Sequence, residues 1–259
     1  MALKGAHVVP LLDRIGVDLV CLGNHEFDFG PEQLGALVAS SRFRWLCANA
    51  LQASDGALLP GVLPSVVLTF RHYFCARGGG GGGHTCAVTP SAAAPTHCSF
   101  PHCPRAAPSS SSSSSATVSK SASSSFPFDS FVDLRVGVFG VVTRATPFLS
   151  NPTAAVRFED EIAHARACID ALRGTDGGAD IIVALTHQSL DEDVALARAL
   201  PAIALVLGGH EHVPFAQMEG GALIFKTGQN AQWLGAVRTL FFALGFVRFE
   251  KFNLDDSLF

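Results

Sequence analysis

Three short stretches hold side chains suited to chemistry. They are Asn24, His25 and Asp28 within Gly23-Asn24-His25-Glu26-Phe27-Asp28-Phe29-Gly30, His187 after Ile181-Ile182-Val183-Ala184-Leu185-Thr186, and His210 with His212 after Ile203-Ala204-Leu205-Val206-Leu207-Gly208-Gly209. An amide oxygen can ligate a metal, an imidazole can ligate one or move a proton, and a carboxylate three residues from a histidine can orient its ring. Taken singly, each stretch also has a structural reading. The first suits a Gly-Asn turn followed by an acid at a helix entry, the second a capped strand end, and the third a polar hairpin.

All three stretches stand at the same kind of place. Each follows an apolar run (17–22, 181–186 and 203–207) that reads as a strand, and in open α/β sheets ligands bind just beyond the carboxyl ends of strands. Three such runs delivering metal-capable side chains would rarely coincide by chance. Around them, residues 7–16 read as a helix closed by glycine, and Pro31 opens a helix to about Ala39. Trp45 to Ala48 is a short strand, and Val132 to Val142 is a buried one. Helices are expected from about Glu159 to Arg173 and from about Leu190 to Leu200. The second opens on Asp191, Glu192 and Asp193, read as capping acids. Residues 222–226 and 233–252 are strand-like. This alternation predicts a layered α/β sandwich.

With 259 residues, of which 48% are hydrophobic, the chain can bury the core of one such domain. A net charge of -4 gives no basic excess for a nucleic-acid backbone. No apolar run approaches the roughly 20 residues that span a bilayer, and the first residues do not read as a signal peptide. Seven scattered cysteines favour free thiols, with Cys21, Cys47 and Cys168 as small core residues. A reducing, cytoplasmic setting is the default expectation, with neither nucleic acid nor membrane as partner.

Composition changes abruptly over 71–128. A run of glycines at 78–83 and a serine run from 109 cannot offset chain entropy by burial, so the segment is expected to be a disordered, low-complexity insertion. It would divide one domain into a first part, 1–70, and a remainder, 129–259. Its Cys75, His84, Cys86, His97, Cys98, His102 and Cys103 form no CxxC knuckle and match no common zinc-finger spacing.

With these pieces in order, the chain resembles the calcineurin-like metallophosphoesterase superfamily, and within it the 5'-nucleotidase branch. The resemblance rests on GNHEFDFG at 23–30, ANA at 48–50, VGVFGVVT at 136–143, LTHQSLDEDVALA at 185–197 and LGGHEHVPF at 207–215. It implies a layered αββα sandwich and metal-dependent hydrolysis of phosphomonoesters, with a nucleotide as the small-molecule partner. It also implies two divalent ions of the Zn, Mn, Fe or Co kind, set about 3.5–4 Å apart in such sites. Carried over residue by residue, Asn24, His187 and His210 would hold one ion and His212 the other. His25, oriented by Asp28, would stabilise or protonate the departing ester oxygen.

The family pattern begins with an Asp-x-His motif and a Gly-Asp motif on two strands that precede GNHE, and this sequence contains neither. The expectation is therefore an N-terminally incomplete sandwich lacking its first strands, with one ion retained rather than two. A catalytically inactive fragment or pseudoenzyme with a partial metal site is the alternative reading.

Overall fold

The computed structural model describes residues 3–75, 84–89, 130–174, 178–239 and 247–253. By its contacts the chain forms two units, 1–68 with 135–259, and 69–134.

The first unit begins with helix α1 (Val8–Ile15), closed by Gly16 at φ 77°, a left-handed C-cap of the kind glycine favours. Strand β1 (Leu19–Cys21) and a 3₁₀ turn over Asn24–Phe27 follow, then α2 (Gly30–Ser40), with proline in its first turn. Next come β2 (Arg44–Leu46), β3 (Ala50–Gln52), β4 (Val62–Leu63) and the start of β5 (Ser65–Cys75). Strand β6 (His84–Thr89) belongs to the second unit, and β7 (Ser130–Val142) returns the chain to the first. The short α3 (Thr146–Leu149), β8 (Val156–Phe158), α4 (Glu161–Gly174), β9 (Ile181–His187), α5 (Leu190–Ala199) and β10 (Ile203–Gly208) follow. The unit ends with β11 (Pro214–Glu219), β12 (Ala222–Thr227), β13 (Trp233–Thr239) and β14 (Val247–Asn253).

Strands β7, β9, β10 and β12 run parallel, with β11 folded back antiparallel on β12. A second, parallel sheet has the order β1-β2-β4. Alternating side chains separate the layers, because successive residues of a strand face opposite sides. In β9, Ile182 and Ala184 pack under α4 and α5 with Phe139, Val141, Ile169 and Leu196. Ile181, Val183 and Leu185 face the other way and meet Leu19 and Leu46 of the small sheet. The far side of that sheet, with Val20, Trp45 and Cys47, is covered by Val9 of α1 and by Leu34 and Val38 of α2. Helix, sheet, sheet and helix thus stack as the expected αββα sandwich.

Burial explains the cysteines: it pushes the Cys47 thiol up to about 12 and Cys168 to about 11, and both are free thiols in apolar surroundings. Asn49 of the ANA stretch is fully buried and pins β7, donating to the Val142 and Glu159 carbonyls at 2.7 and 3.1 Å and accepting from Val142 N–H at 2.9 Å.

The second unit contains an antiparallel pair, β5 with β6, registered from Arg71 opposite Thr89 to Cys75 opposite His84. Residues 71–75 and 84–89, read above as part of a disordered insertion, are therefore strands. A composition judged over a long window hides a short alternating run flanked by glycines. The glycine and serine runs, with His97, Cys98, His102 and Cys103, lie outside the described residues.

Candidate metal and phosphoester site

The turn after β1 sorts its side chains by threes. In a 3₁₀ helix residues i and i+3 share a face. Asn24 and Phe27 accordingly point inward and are buried, with Phe27 edge-on to Phe158 at 5.2 Å. His25 and Asp28 share the exposed face, where the imidazole Nδ1–H donates to Asp28 Oδ2 at 2.9 Å. Glu26 closes the turn by accepting from the Gly23 N–H at 2.6 Å.

Asn24 meets His187 at the end of β9, with Asn24 Oδ1 2.9 Å from His187 Nε2, although the two residues are 163 positions apart in the chain. The loop after β10 brings His210 to the same place, its ring edge-on to that of His187 with centroids 5.3 Å apart. The Gly209 N–H donates to the Thr186 carbonyl at 2.8 Å, and the Thr143 N–H to the His187 carbonyl at 2.9 Å, so the strand ends are tied together by backbone. The glycines before Asn24 and His210 are required by close approach. A Cβ at Gly23 would stand 2.6 Å from His187 Nδ1, and one at Gly209 would stand 3.0 Å from it.

Burial keeps the His187 imidazole neutral, lowering its pKa to about 4, with His210 and His25 adding to the effect. A neutral imidazole is the form that ligates a metal. Asn24 thus brings an amide oxygen, and His187 and His210 bring two imidazoles, to one corner, and each is a group that can ligate a metal. Among the described residues no group of three or more His, Cys, Asp and Glu is placed to hold a metal ion, and the donors at this corner are one amide oxygen and two imidazoles. His212 is exposed, two residues beyond His210.

Two residues escaped the sequence reading, and a third was given another role. Ser150, just after α3, donates from Oγ to Asp28 Oδ1 at 2.8 Å, extending the His25–Asp28 pair by one link. Lys226, near the carboxyl end of β12, is buried, and its Nζ lies 2.8 Å from Asp193 Oδ2. Asp193 is therefore no cap. Ser189 and Glu192 make the capping box of α5, while Asp193 turns inward and is fully buried. A lone lysine within the apolar run Ala-Leu-Ile-Phe-Lys-Thr was the one available signal for that pair.

No family model matches the sequence. The chain is 30% identical over 126 residues to the trifunctional nucleotide phosphoesterase protein YfkN of Bacillus subtilis, covering 47% of this chain and 8% of that protein. It is 26% identical over 212 residues to the 5'-nucleotidase of Rattus norvegicus, covering 80% of this chain and 26% of the relative. Among solved structures, a 5'-nucleotidase precursor from Thermus thermophilus superposes with a TM-score of 0.65 at 20% identity, covering 96% of this chain and 41% of that one. The chain thus spans about a quarter of the length of the rat 5'-nucleotidase and less than half of the superposed structure. Over four-fifths of its residues the chain is similar in sequence to 5'-nucleotidases, and its sandwich is the fold of a solved 5'-nucleotidase precursor and of the calcineurin-like phosphoesterase YfkN.

Proposed function

We propose that this chain carries a metal-dependent phosphoesterase site acting on phosphomonoesters of the nucleoside monophosphate kind. The supporting observation is the meeting of Asn24 Oδ1 and His187 Nε2 at 2.9 Å beside the His210 ring, at the carboxyl ends of separate strands. Asn24, His187 and His210 would hold one divalent cation, and His212 would serve a second. Bound there, divalent cations supply charge neutralisation at the phosphoryl oxygens and activation of the attacking water.

The chain's own part in the reaction falls to His25. Its Nδ1–H is engaged by Asp28, which leaves Nε2 directed away from the carboxylate and available to the substrate. With His25 doubly protonated, water oxygen would add to phosphorus as the phosphorus–ester oxygen bond breaks and the Nε2 proton passes to the departing oxygen, giving an alcohol and inorganic phosphate and leaving a neutral ring that takes a proton back from solvent. Burial favours the neutral form of His187, the form an imidazole takes as a metal ligand.

On this reading 1–70 and 129–259 make one phosphoesterase domain, with 71–128 as an insertion in it. The free thiols Cys21, Cys47 and Cys168 support a reducing, cytoplasmic setting. Among the described residues no helix is long and apolar enough to cross a membrane.

A second reading is a catalytically inactive chain with a partial metal site, because the sequence lacks the Asp-x-His and Gly-Asp motifs that the resemblance leads one to expect. Metal analysis with a phosphate-release assay on AMP and p-nitrophenyl phosphate separates the two. Bound metal with phosphate release supports the enzyme, and one cation without release supports the silent form. Protein that retains no divalent metal and releases no phosphate overturns both.

A further inference from the structure

Lys226 is a charged side chain with no exposed surface near the carboxyl end of β12, between β10 and β11, where burial of an ammonium is costly unless every proton finds an acceptor. Its acceptors come from three separate elements. Nζ donates to the Gln188 carbonyl at 2.7 Å, directly after His187. It donates to the Gly209 carbonyl at 2.8 Å, directly before His210. It also pairs with Glu211, between His210 and His212, and with Asp193 of α5. Asp193 is held in turn by the Gln188 side-chain amide at 3.0 Å.

The register places Lys226 opposite Gly208, and a Cβ at Gly208 would stand 2.9 Å from Lys226 Cε and 2.8 Å from Asp193 Oδ2. The missing side chain is therefore what admits the lysine. His210, one residue past the carbonyl it binds, has φ 78°, a left-handed conformation that a non-glycine residue keeps only when its surroundings over-determine it.

We infer that Lys226 is a positioning residue that clamps the His187 loop to the His210–His212 loop and holds His210 in its left-handed turn. The part of this inference that concerns metal rests on the function proposed above. The clamp itself rests on the lysine contacts alone. A lysine present only for stability could be exchanged for apolar side chains together with its acid without loss, since buried ion pairs are often replaced neutrally by packed hydrophobes. A clamp could not, because the two carbonyls would lose their shared donor.

The test compares the full chain with Lys226→Met and with the double variant Lys226→Met/Asp193→Leu, the second removing the unpaired buried charge that would destabilise the first. Amide hydrogen exchange is measured over 186–190, 208–212 and, as a control, 44–52, alongside titration with cobalt(II) followed by its ligand-field absorption. The double variant is expected to melt near the wild-type temperature. Its exchange should rise at least about 10-fold at the two loops and not at the control, and its cobalt affinity should fall about 10- to 100-fold, the range for lost support of a metal ligand. Loop exchange unchanged in both variants overturns the inference, and so does an equal rise in the control segment. If the wild-type chain binds no cobalt, the metal reading falls, and the exchange comparison still decides for or against the clamp.

Discussion

Asn24 and His25 are adjacent in sequence and opposite in surroundings. Asn24 is buried and shares a corner with His187 and His210, walled by the Gly23 and Gly209 backbones. The His25 side chain is 71% exposed and is held by a single carboxylate that is itself 39% exposed. A cation-binding corner gains from rigidity, because its donors must converge before the ion arrives. A proton-transfer group must instead reach solvent and substrate, and an exposed pair of this kind adds little to stability. The two regions should therefore respond differently to substitution: the first through metal and fold, the second through rate alone.

The sharpest break of that contrast is His210→Ala. Loss of this imidazole should leave no cation bound after dialysis and reduce phosphate release to background, as read by elemental analysis and assay on the same sample. His25→Ala should leave metal content unchanged while lowering kcat about 10²–10⁴-fold, the usual scale for losing a proton-transfer group. Equal metal loss in the two variants would erase the division between corner and rim.

Gly23→Ala tests the wall rather than a ligand. Its new methyl would stand 2.6 Å from the His187 ring, which must then move away from Asn24. Metal affinity should drop about 10-fold, comparable with losing an outer-shell support. Calorimetric titration that finds wild-type affinity would show that the corner tolerates displacement.

The pH response of the metal-free chain sharpens the same point. The folded pKa of His187 is about 4, below the ordinary value near 6.5, so between these values the unfolded chain binds more protons than the folded one. Its contribution to stability should be fully present above about 6.5 and fade as pH falls towards 4. His187→Gln should flatten that part of the curve in chemical denaturation, and an unchanged slope would argue against a neutral buried imidazole.

Ser150→Ala is expected to do least. Removing one exposed hydrogen bond to Asp28, worth about 1 kcal/mol, should lower kcat about 5-fold with metal content and melting temperature unaltered. A change in bound metal would place Ser150 with the corner instead of the rim.

The linear sequence by itself determined where strands end and which polar side chains follow them. Apolar runs finishing in Gly-Asn-His, Thr-His and Gly-Gly-His are local patterns, and local patterns are legible because hydrophobic period and glycine placement act over a few residues. The layered sandwich followed from the same alternation. The tertiary structure decided what depends on contacts between distant segments. Which face of the turn Asn24 takes, that it meets His187 across 163 positions, that Ser150 reaches Asp28, and that Asp193 turns inward to Lys226 are all set by packing among several elements. A lysine in an apolar strand announces a buried charge, but its partners are chosen only when two loops and a helix close around it.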